Sequence, residues 1–122
     1  MKSNYINDVL CGVDIIEVER IRKLIQGNPN FTNRIFTDKE INYCMKKKNK
    51  WQHFAVRFAA KEAIWKCLGY RGMALRDIGI RNNPDGKPCA DLKRKFKGLE
   101  KRISISLSHT EHHAVAFAVY SK

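Results

Sequence analysis

The sequence has 122 residues, of which 43% are hydrophobic and 30% are charged, as is typical of one globular domain. No apolar stretch approaches the roughly 20 residues of a membrane-spanning helix, and the start lacks the features of a secretory or transit peptide, so we expect a cytoplasmic protein. The 24 lysines and arginines against 12 acidic residues give a net charge of +12, which favours an anionic partner without distinguishing nucleic acid, membrane, nucleotide-like ligand or acidic protein.

The predicted elements begin with a strand over residues 9–16. Gly12 and Asp14 share one side of this strand, where the missing glycine side chain leaves space beside a carboxylate. Apolar residues at helical spacing over 18–25 then predict a first helix, and the helix breakers at 27–29 end it.

Thr37 and Glu40 form a capping-box pattern that predicts the start of a second helix. The cationic stretch 46–50, KKKNK, is interpreted as a solvated loop or fraying helix end, with a binding site as the alternative. A longer helix is predicted over residues 52–68, closed by Gly69.

The last third of the sequence indicates strands. Residues 75–80 predict a strand that is followed by a turn at 82–88. Isoleucine and leucine alternate with serine over 103–108, and a second β-rich run covers 114–120, with SHTEHH as the turn between them. The basic segment 91–102 is ambiguous between helix and strand spacing.

Helices and strands occur without regular βαβ alternation, which predicts a single α+β domain over residues 1–122 with a mainly antiparallel sheet packed against helices. The four cysteines, at 11, 44, 67 and 89, form no CxxC pair. We interpret them as reduced thiols rather than as a disulfide frame or a zinc knuckle.

The segment RFAAKEAIWKCL, residues 57–68, carries Glu62 among apolar residues, where an ionised carboxylate is costly unless a cation or hydrogen-bond donors meet it. On a helical wheel Arg57 and Lys61 form one polar stripe, and Glu62 and Lys66 form a second. The second pair could be an ordinary ion pair on an exposed helix. The apolar surroundings favour instead a position beside a wall or crevice.

Asp14 is the best candidate partner for Glu62, because it lies near the end of a strand in the apolar run GVDII. Two adjacent carboxylates repel each other, and a hard divalent cation relieves that repulsion. Magnesium typically takes one or two protein carboxylates and completes its shell with water and substrate phosphates. Candidate donors to a phosphorylated ligand around the ion are Arg57, Lys61, Lys66 and His109.

The histidines at 109, 112 and 113 match no familiar zinc spacing and have no nearby cysteine, which disfavours zinc. His109 follows the serine face of a strand and suits a phosphate contact, with a turn histidine that caps backbone groups as the alternative. Gly86 and Lys87 belong to a tight turn, and the sequence has no P-loop and no dinucleotide-binding glycine pattern.

Five segments occur in a characteristic order: GVDIIEVERI (12–21), RIFTDKE (34–40), RFAAKEAIWKCLG (57–69), GKP (86–88) and SLSHT (106–110). Together they closely resemble the holo-[acyl-carrier-protein] synthases, the small type of 4′-phosphopantetheinyl transferase, over about residues 9–120. Leu10 departs from the glycine that many members carry, which implies slightly different packing of the strand beside Asp14. Segments 46–50 and 91–102 match only loosely and support no residue assignment.

The resemblance implies that Asp14 and Glu62 hold a magnesium ion against the diphosphate of coenzyme A. The enzyme would then move the phosphopantetheine arm to a serine of an apo-acyl carrier protein, in fatty acid biosynthesis, and release adenosine 3′,5′-bisphosphate. Lys66 and nearby basic groups would neutralise charge on the phosphoryl oxygens. Three acceptors for the serine proton stay open: Asp14, Glu62 through a water on the metal, and His109.

The same resemblance implies a wider coenzyme A-binding set: Arg57, Lys61, Lys66, Gly86, Lys87, Ser108, His109 and Thr110. It also implies a homotrimer in which the SLSHT segment of one chain faces the metal of the next. Arg20 matches the position that contacts the acidic recognition helix of the carrier protein. A solvated helix face is the alternative interpretation of Arg20, because charged residues surround it.

Two other functional classes are weighed against this one. A nucleic-acid-binding module would explain the positive charge, but no helix-turn-helix, zinc-finger or aromatic RNA-stacking pattern accompanies that charge. A non-catalytic subunit with the same fold would not need the four proposed catalytic residues, all of which are present: Asp14, Glu62, Lys66 and His109. We therefore expect an enzyme without nucleic-acid partners.

Overall fold

The computed structural model of the protein describes residues 8–122. The sequence-based expectation about a targeting segment concerns residues that include 1–7, which lie outside this range. The helices and strands, in chain order, are β1 (Val9–Glu17), α1 (Val18–Gly27), α2 (Pro29–Ile35), α3 (Asp38–Met45), α4 (Lys50–Leu68), β2 (Ile78–Asn82), β3 (Pro88–Leu92), β4 (Ile103–His109) and β5 (His113–Ser121).

Two antiparallel sheets confirm the predicted α+β class. The larger sheet has the strand order β1-β5-β4, and the smaller sheet is the hairpin β2-β3. In the larger sheet Asp14 of β1 lies opposite Ala116 of β5, and Val13 lies opposite Phe117. One face of this sheet packs against α4, whose alanines Ala59, Ala60 and Ala63 are buried. Both sheets contribute to one cluster of buried residues.

Gly12 marks the closest approach of β1 to α4. A Cβ atom at this position would lie 2.1 Å from the carbonyl oxygen of Ala63 and 2.8 Å from the backbone nitrogen of Cys67. The space beside Asp14 that the sequence indicates is therefore occupied by the backbone of α4. Only a glycine lets the strand lie this close to the helix.

The predicted helix boundaries are largely confirmed. The Thr37 hydroxyl accepts from the backbone N–H of Glu40, and the Glu40 carboxylate accepts from the N–H of Thr37, which completes the capping box. Gly69 ends α4 in the left-handed region, at φ 64°. Helix α4 begins at Lys50, two residues before the predicted start, and residues 46–49 form turns outside it.

Two local elements differ from the sequence prediction, and one ambiguous segment is resolved. The breakers at 27–29 end α1 as predicted, but Asn28 and Pro29 also start α2, with the Asn28 side chain accepting from the N–H of Asn30. The strand predicted from residue 75 begins at Ile78, after a short 3-10 turn over Leu75–Asp77. The ambiguous segment 91–102 completes β3 and then forms two 3-10 turns.

The described part of the chain contains no helix that combines the length and the apolar character needed to cross a membrane. The longest helix, α4, has 19 residues, but it carries charged residues along its length. All four cysteines are unpaired; Cys44 and Cys67 are buried, whereas Cys11 is exposed.

Candidate active site

Asp14, Glu62 and Lys66 line one pocket between β1, α1 and α4. The pocket has a volume of about 230 Å³, and Arg20, Leu24 and Phe58 complete its wall. Asp14 reaches it because it lies on the same strand face as Gly12, which faces α4. Glu62 and Lys66 reach it because residues four apart share one side of a helix. The predicted convergence of the two carboxylates therefore occurs within one chain.

Lys66 pairs with Asp14 rather than with Glu62. Its Nζ atom lies 3.0 Å from Oδ1 of Asp14 and 3.1 Å from the carbonyl oxygen of Val13. The Asp14 side chain is 16% exposed, and that of Lys66 is 48% exposed. The alternative of an ordinary ion pair along the helix is thus not what the structure shows.

Glu62 has no ion-pair partner among residues 8–122. Its half-buried position raises the pKa of its carboxyl above the ordinary value, and the negative charge of Asp14 raises it further, while Lys66 opposes the shift. Both causes disfavour the ionised carboxylate. A cation placed between Glu62 and Asp14 would remove this penalty.

The pocket fits a hard divalent cation better than a soft one. Its acidic groups supply oxygen ligands, and the described residues contain no group of three or more histidine, cysteine or acidic side chains that could hold a metal. Two carboxylates suit magnesium, which draws further ligands from water and substrate phosphates. Closed zinc sites use four protein ligands, and the histidines 109, 112 and 113 form no such set.

A second pocket contains three of the other predicted site residues. Arg57, Gly86 and His109 line a cavity of about 320 Å³ together with Asn82 and Pro88. The tip of the β2-β3 hairpin supplies Gly86, at φ 88°, and the end of β4 supplies His109. Lys87 follows Gly86 at the exposed tip of the hairpin.

Arg57 is 4% exposed and forms no hydrogen bond to the described residues. Its guanidinium carbon lies 4.3 Å from the centre of the Tyr43 ring, so a cation–π interaction stabilises its positive charge. The Nε atom is buried without an acceptor. A buried donor without a partner is costly, and an anionic ligand in the cavity would supply the acceptor.

The two pockets lie on different sides of α4. Arg57 and Glu62 are five residues apart, which places them about 140° apart around a helix. One chain therefore does not bring His109 and Arg57 to the carboxylates. Ser108 is exposed at the end of β4, and the Thr110 hydroxyl accepts from the backbone N–H groups of His112 and His113, so both belong to the strand end and turn.

Lys61 corrects one expectation from the sequence. It is completely buried, and its ammonium lies 2.6 Å from Oε1 of Glu40 and donates to the carbonyl oxygens of Leu75 and Ile78. Burial lowers the pKa of Lys61, and Glu40 opposes the shift. With its hydrogen-bond partners inside the protein, Lys61 is a core residue and not a ligand contact.

Three contacts of the two pockets were not anticipated. Phe58 forms the apolar wall of the carboxylate pocket, and Tyr43 lies against Arg57. Gln52 contacts His109 through its side-chain oxygen. Phe58 could have been found from the helical wheel, because it lies between the two polar stripes. The sequence carries no signal for the other two, because each contact joins distant segments.

Comparison with known proteins places this geometry in a family. Residues 10–118 match the sequence model of the 4′-phosphopantetheinyl transferase superfamily. A holo-[acyl-carrier-protein] synthase of Caldanaerobacter subterraneus subsp. tengcongensis is 44% identical over 119 residues, which cover 92% of this chain and 94% of that protein.

Solved structures agree with the sequence match. The holo-[acyl-carrier-protein] synthase of Neisseria meningitidis has a TM-score of 0.81 at 34% identity and is covered over 98% of its chain and 93% of this one. A holo-(acyl-carrier-protein) synthase from Bacillus anthracis, solved in complex with CoA (3′,5′-ADP), has a TM-score of 0.76 at 32% identity, over 93% of this chain and 96% of that one.

Proposed function

Because the chain belongs to the 4′-phosphopantetheinyl transferase superfamily, we propose that it transfers the 4′-phosphopantetheine group of coenzyme A to a serine of an apo-acyl carrier protein. The observation that carries the proposal is the pocket shared by Asp14, Glu62 and Lys66 in a chain that matches the family over residues 10–118. We place the reaction in fatty acid biosynthesis.

In this reaction the serine oxygen attacks the phosphorus that bears the pantetheine arm. A new oxygen–phosphorus bond forms, and the bond from that phosphorus to the bridging oxygen breaks, so that adenosine 3′,5′-bisphosphate leaves with the bridging oxygen. The serine proton passes to a base. The protein must therefore hold the diphosphate in line with the serine, offset charge on its oxygens, and accept one proton.

Asp14 and Glu62 are the residues that would hold magnesium. When bound, the ion supplies positive charge to the phosphoryl oxygens. Burial and the nearby Asp14 carboxylate both raise the pKa of Glu62, and a cation bound there would offset this cost of ionising it, which supports the assignment. The ammonium of Lys66, which pairs with Asp14 and is half exposed, would contact the diphosphate. Asp14, Glu62 and His109 remain the candidate proton acceptors.

The active form in this proposal is a homotrimer. The outer face of the larger sheet exposes Val13 by 55%, Ile15 by 68% and Phe117 by 44%, and Val13 lies directly opposite Phe117. A continuous apolar face of this kind marks an interaction surface. A neighbouring chain seated there would supply the group that one chain does not bring to the carboxylates, namely His109 with Ser108 and Thr110.

Coenzyme A would then extend from the carboxylate pocket of one chain to the Arg57–His109 pocket of its neighbour. Arg57, Gly86, Lys87 and His109 would receive its nucleotide end, where the unpartnered Arg57 calls for an anion. The acidic carrier protein would approach the carboxylate pocket from α1, since Arg20 is exposed and lines that pocket. The net charge of +12 favours encounter with an acidic protein.

The decisive experiment incubates the purified protein with coenzyme A, magnesium and an apo-carrier protein, and follows the carrier by intact mass spectrometry. The expected result is a mass gain equal to phosphopantetheine, abolished by a chelator and restored by added magnesium. A failure to modify several apo-carriers, together with tight and salt-sensitive DNA binding, would favour a nucleic-acid-binding function instead.

A further inference from the structure

Gln52, in the first turn of α4, contacts the ring of His109 at the end of β4. The Oε1 atom of Gln52 lies 3.0 Å from Nδ1 of His109. The same oxygen accepts from Nδ2 of Asn49, at 3.5 Å. Two groups thus converge on one amide oxygen, which fixes the orientation of the Gln52 side chain.

This contact determines which nitrogen of the His109 ring carries hydrogen. An amide oxygen can only accept a hydrogen bond, so Nδ1 must be the donor. In the neutral ring Nε2 then has a free lone pair, and in the charged ring it carries a second N–H. Nε2 is thus the ring atom left for a ligand in the cavity that His109 lines with Arg57 and Gly86, and it can donate to an anion only in the charged ring.

His53 supports the same ring by packing. Its ring centre lies 6.1 Å from that of His109 and 5.7 Å from that of Tyr43. Burial lowers the pKa of His53, and the charges of Arg57, His109 and Lys47 lower it further. The His53 ring is therefore neutral at pH 7 and adds an aromatic wall without adding a charge.

We propose that Gln52 is a positioning residue that accepts from Nδ1–H of His109 and so orients the ring for the Nε2–H of its charged form to donate to a phosphate of the bound nucleotide. Gln52 itself does not contact the ligand in this proposal. The identity of the ligand as coenzyme A rests on the proposed function, whereas the hydrogen position on His109 is a property of the protein without ligand.

The test compares Gln52→Ala and Gln52→Glu with the wild-type protein, using ¹⁵N NMR of the His109 ring and calorimetric binding of coenzyme A. We expect the wild type to show the Nδ1–H form, Gln52→Ala to lose it, and Gln52→Glu to regain it through its carboxylate oxygen. The dissociation constant for coenzyme A should rise about fivefold in Gln52→Ala, because the ring of His109 loses the hydrogen bond that orients it. A fivefold change corresponds to the free energy of about one hydrogen bond.

His53→Phe is the matched control, because it keeps an aromatic ring beside His109 and leaves Gln52 in place. It should retain the Nδ1–H form. A wild-type ring protonated on Nε2 alone, or a Gln52→Ala variant with unchanged ring form and unchanged coenzyme A affinity, would overturn the inference. Failure of the proposed function is a separate result, since coenzyme A would then bind without being transferred to any carrier.

Discussion

The Nζ atom of Lys66 lies 3.0 Å from Oδ1 of Asp14, and this contact joins the last turns of α4 to the middle of β1. It satisfies one carboxylate of the pocket and leaves the other, Glu62, without a cation among the described residues. The pocket is therefore poised to bind one more positive charge.

Replacing Glu62 by glutamine should stabilise the metal-free protein while it removes activity. The pKa of Glu62 is raised in the folded protein, so the folded state binds this proton more tightly than the unfolded state. The contribution of Glu62 to the free energy of unfolding is then fully present below about 4.3, the ordinary glutamate pKa. It is lost as the pH rises from there through the higher pKa of the folded state. The Glu62→Gln variant has no such loss.

Thermal unfolding from pH 4 to 8, with and without magnesium, measures this difference. We expect Glu62→Gln to unfold at a higher temperature than the wild type near pH 7 in the presence of a chelator. Magnesium should raise the unfolding temperature of the wild type alone. A variant that is less stable than wild type without metal, or that keeps wild-type transfer activity, would contradict the assignment of Glu62.

The two lysines of α4 should behave in opposite ways. Lys61→Met leaves Glu40 buried without its cation and should lower the free energy of unfolding by about 3–5 kcal/mol. Lys66→Met removes a partly exposed ion pair and should cost less than about 1 kcal/mol, but it should abolish transfer.

Urea titration and the carrier-modification assay separate these effects. Each variant serves as the control for the other, since both replace a lysine of the same helix by methionine. Equal losses of stability in the two variants would contradict the prediction that the buried Lys61–Glu40 pair contributes more to stability than the Lys66–Asp14 pair. An active Lys66→Met variant would remove Lys66 from the site.

Gly12→Ala should destabilise the protein by about 3 kcal/mol, because the added methyl group would overlap backbone atoms of α4 that cannot rotate away. Displacement of β1 from the helix should also separate Asp14 from Lys66 and reduce activity. Gly27→Ala is the control, since a Cβ atom there meets nothing within 4 Å. Chemical unfolding of both variants provides the measurement, and similar stability in the two would refute the close approach.

Two inactive variants should restore activity when they are combined in one trimer. Glu62→Ala lacks a carboxylate, and His109→Ala lacks the group expected from a neighbouring chain. If the site lies between subunits, co-expression of the two variants should give about one quarter intact sites by random assembly. Activity no greater than that of either variant alone would place each site within a single chain.

The exposed sheet face provides the assembly control for this experiment. Ile15→Asp puts a charge in the centre of that face and should give an inactive monomer by sedimentation velocity. Met45→Asp changes a residue that is 52% exposed on α3, and it should leave the assembly unchanged. A trimer that persists in Ile15→Asp would contradict the assignment of this face as the subunit interface.

Arg20→Asp should raise the KM for the carrier protein and leave coenzyme A affinity unchanged, because the charge reversal affects an exposed residue at the rim of the carboxylate pocket. The salt dependence of the rate should also weaken. Arg22→Asp is a charge-matched control on another side of α1, where Arg22 pairs with Glu19. Equal effects of both variants on the carrier KM would indicate only a general charge effect.

Local signals in the sequence anticipated most helix and strand positions. The Thr37–Glu40 capping box and the left-handed Gly69 depend on a few neighbouring residues, so both can be predicted from the local sequence. The same is true of the alternation in β4. Helix α2 was missed although Asn28 and Pro29 carry a start signal, because the same residues also end α1.

Sequence alone determined the set of chemical groups, the strand that bears Asp14 and the helix that bears Glu62 and Lys66. Only the tertiary structure decided that Lys61 faces Glu40 in the core while Lys66 faces Asp14, and that His109 and Arg57 share a different pocket. A helical wheel fixes the angles between side chains but not the neighbours in each direction. Those neighbours come from distant segments whose packing sets the rotation of α4 against the sheet.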